Sequence, residues 1–169
     1  MTTKNKYKNE ALNIIQEKYP EIDFSSLDSN GIFMVGDLVD TLGWDMRFIT
    51  LPPSICGYTN ICDNKTIIFL NEDHEVAKNY FTIAREICYY VLHGHLNTGY
   101  NQGYKYTQEE REKSAEANAL ASKLLMPEHV FIKVFDKYKS NFQKIASIFI
   151  VRKDMCIARA LDIGLINCI

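Results

Sequence analysis

The stretch from residue 76 to residue 93 constrains the fold of this chain more than any other. Its apolar residues recur at helical spacing and predict one long helix with a buried face. Near the middle of that helix lie three polar or aromatic side chains, Arg85, Glu86 and Tyr89. Because four residues turn a helix by about 400°, the side chains at positions 85 and 89 project from the same side. Side chains at these two positions can therefore contact the same ion or side chain.

Helical patterns also dominate the rest of the chain. Apolar residues at helical spacing predict a helix that ends near residue 19 and others at residues 35–42, 107–126, 130–139, 141–150 and 153–161. Gly43 predicts the end of the second helix. Thr107 and Glu110 form the capping-box pattern that opens the helix beginning at residue 107. The chain is thus predicted to be mostly helical.

A period of two residues replaces the helical period between residues 44 and 71. Trp44, Met46 and Phe48 alternate with polar neighbours, which predicts a strand. Two further apolar runs, at residues 58–62 and 65–70, lie on either side of a two-residue turn and predict a hairpin. Pro52 and Pro53 have no N–H to donate to a sheet, so they belong to a loop or a sheet edge. The predicted fold class is α+β with a small antiparallel sheet.

Composition limits both the number of domains and the classes of partner. With 169 residues, 47% of them apolar, residues 1–169 are expected to form a single domain. A net charge of -2 argues against nucleic acid as a partner, since phosphate-binding surfaces carry an excess of Lys and Arg. No apolar run is long enough to cross a membrane, and the N-terminus lacks the apolar segment of a signal peptide. We therefore expect a cytoplasmic protein with no membrane partner.

Four separated blocks together resemble the ImmA/IrrE family of zinc metallopeptidases. They are a strand ending in Asn at residues 65–71, the Phe-Thr-Ile-Ala-Arg-Glu run at residues 81–86, the segment 116–127 ending in Leu-Leu-Met-Pro, and the segment 145–166. The second block differs from the family's Phe-Thr-x-Ala-His-Glu at one position, where Arg85 replaces the first histidine. The resemblance implies a mostly helical, zincin-like peptidase domain. Proteins of this family typically cleave or antagonise repressors, so the resemblance also implies an activity of that kind.

The resemblance also implies which positions would hold zinc. They are Arg85, Tyr89 and Glu116, with Glu86 at the position of the general base. A catalytic zinc needs about three protein ligands plus a water, and only Glu116 among the three can bind the ion. A guanidinium is permanently cationic and repels it. We therefore expect no metal, no cofactor and no catalytic residues, and interpret Arg85, Glu86, Tyr89 and Glu116 as a vestigial site.

The positive charge of Arg85 could take the place of the metal ion between the two helices. Arg85 is expected to pair with Glu116, with the Tyr89 hydroxyl bonded to the same carboxylate, so that an ion pair ties the two helices together. The alternative is that Arg85 points into solvent. His93 lies about 12 Å beyond Arg85 along the helix axis, which predicts that it is too far away to share an ion with Glu116.

The preferred function is a non-catalytic peptidase-like protein that binds a protein partner through the vestigial substrate cleft. This partner would be a repressor or a host-defence protein, and the chain an antirepressor or a phage or mobile-element inhibitor. Exposed tyrosines give a large contact area at low entropy cost, so Tyr100, Tyr104 and Tyr106 are candidate partner-binding residues.

Two other functions remain open. One is a zinc-dependent endopeptidase that cleaves a repressor-type protein through a rearranged site around Glu86, Glu116, His93 or His95. The other is a degenerate remnant with no present partner, although the mutually consistent core pattern, capping box and hairpin turn argue against that.

Overall fold

A computed structural model describes residues 6–29, 31–94, 100–101, 107–139 and 141–167, with only the backbone described at residues 100 and 101. Its helices are α1 Glu10–Lys18, α2 Ser25–Asp28, α3 Val35–Thr41, α4 Val76–His93, α5 Gln108–Leu125, α6 Glu128–Tyr138, α7 Phe142–Phe149 and α8 Lys153–Asp162. Its strands are β1 Asp45–Ile49, β2 Ile55–Cys62, β3 Lys65–Asn71 and β4 Tyr100–Asn101. The mostly helical α+β class is confirmed.

The sheet is mixed, so the prediction of an antiparallel sheet is wrong for one strand. Strand order is β1-β3-β2-β4, and β1 runs parallel to β3, with Asp45 opposite Ile67. The chain leaves β1 through a loop that contains Pro52 and Pro53 and crosses to β2, which places β1 on the far side of β3. The alternation of apolar and polar residues does not show which strand β1 pairs with. It therefore could not distinguish parallel from antiparallel pairing.

The hairpin between β2 and β3 follows the sequence prediction. Its register places Cys62 opposite Lys65, with Asp63 and Asn64 as the two turn residues. Both turn residues have positive φ, 51° and 62°. This is the backbone twist of a type I′ turn, which joins antiparallel strands without splaying them apart.

Helix α4 lies between the sheet and α5, and contacts β2, β3 and α5. Ile68 and Leu70 of β3 are fully buried and belong to the same apolar core as Ala84 and Ile87 of α4. At Gly57 of β2 a Cβ would lie 2.9 Å from Thr82 Cγ2 of α4 and 2.6 Å from the carbonyl oxygen of Phe69 in β3. A glycine here lets the sheet reach the middle of α4.

Helix α5 opens as the sequence predicts. The Thr107 hydroxyl accepts from the Glu110 N–H at 3.2 Å, and the Glu110 carboxylate accepts from the Thr107 N–H at 2.7 Å. These bonds satisfy amides that have no partner within the helix. Within the described part of the chain, no helix is both long and apolar enough to cross a membrane.

Candidate functional site

Arg85 lies on the side of α4 that faces α5 and is only 2% exposed. Its Nη1 donates to Glu86 Oε1 at 2.7 Å, and its Nη2 donates to the Ser114 hydroxyl of α5 at 3.2 Å. The guanidinium carbon lies 5.6 Å from the centre of the Tyr89 ring, within range of a cation–π contact. A positive charge thus occupies the space between the two helices.

Glu86 is as deeply buried as Arg85, at 2% exposure. Its second oxygen, Oε2, accepts from the Thr59 hydroxyl of β2 at 3.0 Å. Burial raises the pKa of Glu86 above its usual range, because the charged carboxylate loses water, while Arg85 and Thr59 act to lower it. The carboxyl group therefore links the sheet through Thr59 to α5 through Arg85 and Ser114.

The predicted Arg85–Glu116 pair is wrong. Arg85 pairs with Glu86 instead, and the alternative of an arginine pointing into solvent is wrong as well. The reason is desolvation, since Glu86 has lost its water whereas the Glu116 side chain is 62% exposed and keeps it. A buried carboxylate gains more from a cation than an exposed one does.

Glu116 has a different neighbour, His93. The Glu116 Oε2 atom lies 3.1 Å from His93 Nε2, within ion-pair distance but outside hydrogen-bond geometry. The prediction that His93 is too far from Glu116 is therefore wrong, because Glu116 on α5 lies beside the C-terminal end of α4.

Tyr89 lies between Arg85 and His93 on α4. Its ring meets the His93 ring edge-on, with centroids 4.9 Å apart, and burial raises the pKa of its hydroxyl. Among the described residues that hydroxyl makes no bond to Glu116, so this part of the prediction is also wrong.

These side chains do not fit a catalytic zinc ion. At the positions where the resemblance implies the first two ligands stand the guanidinium of Arg85, which bonds the Glu86 carboxylate, and the ring of Tyr89. Among the side chains that the structure describes, no group of three from His, Cys, Asp and Glu could hold a metal. His95 lies outside the described residues.

The three tyrosines predicted to bind a partner are only partly described. Tyr100 belongs to β4, which pairs with Gly57 of β2 at the edge of the sheet. Tyr104 and Tyr106 lie outside the described residues. Their role as a contact surface stays a prediction.

Sequence reasoning missed two members of the site and one cavity. Thr59 and Ser114 carry no motif, and only the fold brings them to Glu86 and Arg85. A cavity of about 430 Å³ between α4, α5 and α8 lies one turn along α4 from Arg85 and has none of the four vestigial-site residues in its wall. Small residues on these helices, such as Ala119 and Ala158 in the cavity wall, were the available signal.

The fold is a mostly helical α+β domain with a buried Arg85–Glu86 pair between the sheet and α5. A family model described as IrrE N-terminal-like domain (Peptidase_M78) matches residues 45–160, which is most of the chain. The chain therefore belongs to this family, and the resemblance to ImmA/IrrE proteins is confirmed. The match includes Arg85, Glu86, Tyr89 and Glu116.

A solved structure entitled Mycobacterium tuberculosis transcriptional regulator has the same fold, with a TM-score of 0.58 at 13% identity. The similarity covers 91% of this chain and 52% of that one, so the chain spans about half the length of this structural relative. None of the curated proteins compared matches the chain.

Proposed function

We propose that this chain is a non-catalytic member of its family that binds a protein partner across the vestigial site. The observation that carries the proposal is the contact of 2.7 Å between Arg85 and Glu86, both buried. A general base must reach a water in the site and accept its proton. Here the carboxylate in that position is bonded to a guanidinium and to Thr59, so it serves to hold the fold together.

The partner is proposed to be a repressor or a host-defence protein, and the chain an antirepressor or an inhibitor encoded by a phage or mobile element. Family membership supports a regulatory role, and the structural relative is itself described as a transcriptional regulator. The net charge of -2 supports a protein partner over a nucleic acid. A cytoplasmic site of action is part of this proposal.

One contact favours the second candidate, a zinc-dependent endopeptidase with a rearranged site. His93 and Glu116 lie 3.1 Å apart, and an imidazole with a carboxylate is a common pair of zinc ligands. A third ligand would be required, and His95 follows in the sequence. Metal analysis separates the two functions.

The chain purified without added metal is expected to contain far less than one zinc per molecule. Chelator should leave its melting temperature unchanged, because Arg85 and Glu86 stabilise the site without an ion. Atomic absorption and thermal unfolding with and without chelator measure both quantities. One zinc per chain, with peptide hydrolysis that is lost on chelation, would establish the endopeptidase instead.

Partner capture is expected to depend on Glu116, the exposed member of the vestigial site. Glu116→Arg reverses a charge at the surface without touching the buried pair, and should reduce the captured partner about tenfold or more. The matched control is Glu17→Arg, the same change at an exposed position on α1. Capture from lysate of the source cell, quantified by mass spectrometry, is the measurement.

The same capture assay tests the tyrosines. Alanine at Tyr100 and Tyr104 should weaken capture, whereas Phe48→Ala, an exposed aromatic residue at the opposite edge of the sheet, should not. If the Glu116→Arg variant and the double tyrosine variant both capture as much partner as the wild type, the partner does not bind at this surface.

A further inference from the structure

The cavity between α4, α5 and α8 combines an apolar wall with charged groups. Its volume of about 430 Å³ lies within the range of roughly 300–1,000 Å³ that is typical of small-molecule sites. Phe81 of α4, Ala119 of α5, and Met155 and Ala158 of α8 supply apolar surface. The cavity is large enough for an organic molecule and has an apolar surface to hold one.

Positive charge exceeds negative charge in the wall of this cavity. The charged residues that line it are Lys78, Lys123, Arg152, Arg159, Asp154 and Asp162. Asp154 accepts two bonds from Arg152, at 2.8 and 3.1 Å, and Asp162 accepts one from Arg159 at 2.6 Å. Both acids are thus neutralised by the arginines. The two lysines remain, and Lys123 lies 3.6 Å from Glu10 Oε2, which is outside the residues that line the cavity.

Arg159 provides a buried donor with unused capacity. It is 2% exposed, and its Nε donates to the Met126 carbonyl at 3.1 Å. Its Nη2 has no hydrogen-bond partner among the described residues, and its ion pair with Glu10 Oε1 is long, at 3.5 Å. A buried donor without an acceptor costs about 1–3 kcal/mol, so an acceptor placed in the cavity would be favoured.

We propose that this cavity binds a small amphipathic carboxylate. Its apolar part would contact Phe81 and Met155, and its carboxylate would face Arg159 and Lys123. Charge-assisted bonds from a guanidinium to a carboxylate are among the stronger hydrogen bonds in proteins. The cavity lies apart from the vestigial site, so this ligand site does not depend on the proposed function.

Octanoate is the probe, with 1-octanol and octylamine as matched molecules that are neutral and cationic. Octanoate at about 100 times its Kd is expected to raise the Tm by roughly 5–10 °C. The alcohol and the amine should bind at least about tenfold more weakly, since they lack the negative charge. Thermal unfolding and titration calorimetry measure the shift and the Kd.

Two variants locate the binding. Ala119→Leu extends a side chain into the cavity and should abolish the octanoate shift, while Ala115→Leu, on the same helix at an exposed position outside the cavity, should preserve it. Lys123→Gln should weaken octanoate about tenfold and leave 1-octanol unchanged.

The proposal is overturned if octanoate fails to bind, or if alcohol and amine bind equally well. It is also overturned if Ala119→Leu and Lys123→Gln both retain full octanoate affinity.

Discussion

Replacing Arg85 with leucine is expected to lower the free energy of unfolding by about 3–5 kcal/mol at neutral pH. The replacement removes the cation that lies 2.7 Å from the buried Glu86 carboxylate and leaves that charge with only the Thr59 hydroxyl. It also removes the bond from α4 to Ser114 of α5. Denaturant unfolding of the variant and the wild type gives the difference, and Arg47→Leu, an exposed arginine on β1, should change it by less than about 0.5 kcal/mol.

The deficit of the Arg85→Leu variant is expected to shrink as the pH falls. Burial already raises the pKa of Glu86 in the folded chain, and loss of Arg85 removes a group that lowers it, so the pKa rises further. A carboxyl group whose folded pKa lies above its unfolded value contributes most stability below the unfolded pKa. That stability is lost as the pH rises through the folded pKa.

The variant therefore recovers stability relative to the wild type as the pH falls from the variant's Glu86 pKa towards the wild type's. Unfolding measured from about pH 8 to about pH 5 follows this recovery. A deficit under about 1 kcal/mol that does not change with pH would show that the pair contributes nothing to stability.

The elements of this fold could be predicted wherever the determining signal is local. The bounds of α4 follow from the apolar period and Gly94, and the start of α5 follows from Thr107 and Glu110. The type I′ turn follows from Asp63 and Asn64, which tolerate positive φ better than most residues. Each of these signals lies within a few residues of the feature it determines.

Pairings between distant segments could not be predicted in the same way. Alternation predicts that β1 is a strand but gives no sign that it lies parallel to β3. Likewise, the sequence supplies Arg85 with two acidic candidates and says nothing about which one is desolvated. The choice depends on the burial of Glu86 under β2, where Gly57 allows close approach and Thr59 supplies a donor. Burial is a property of the assembled fold.

Restoring both histidines, with Arg85→His and Tyr89→His in one chain, is expected to create a zinc site. The two imidazoles would then have the four-residue spacing that directs them to one ion, and Glu116 would be available on α5 as the third ligand. Zinc content should rise to about one per chain.

The melting temperature of this double variant should rise by roughly 8–16 °C when zinc is at about 1,000 times its Kd. Without zinc the variant should be less stable than the wild type, because it lacks the guanidinium that pairs with Glu86. The ion and the arginine would thus each place a positive charge beside Glu86. Adding Glu116→Gln to the double variant should abolish zinc binding, and a folded double variant that binds no zinc would show that positions 85, 89 and 116 are not the family's ligand positions.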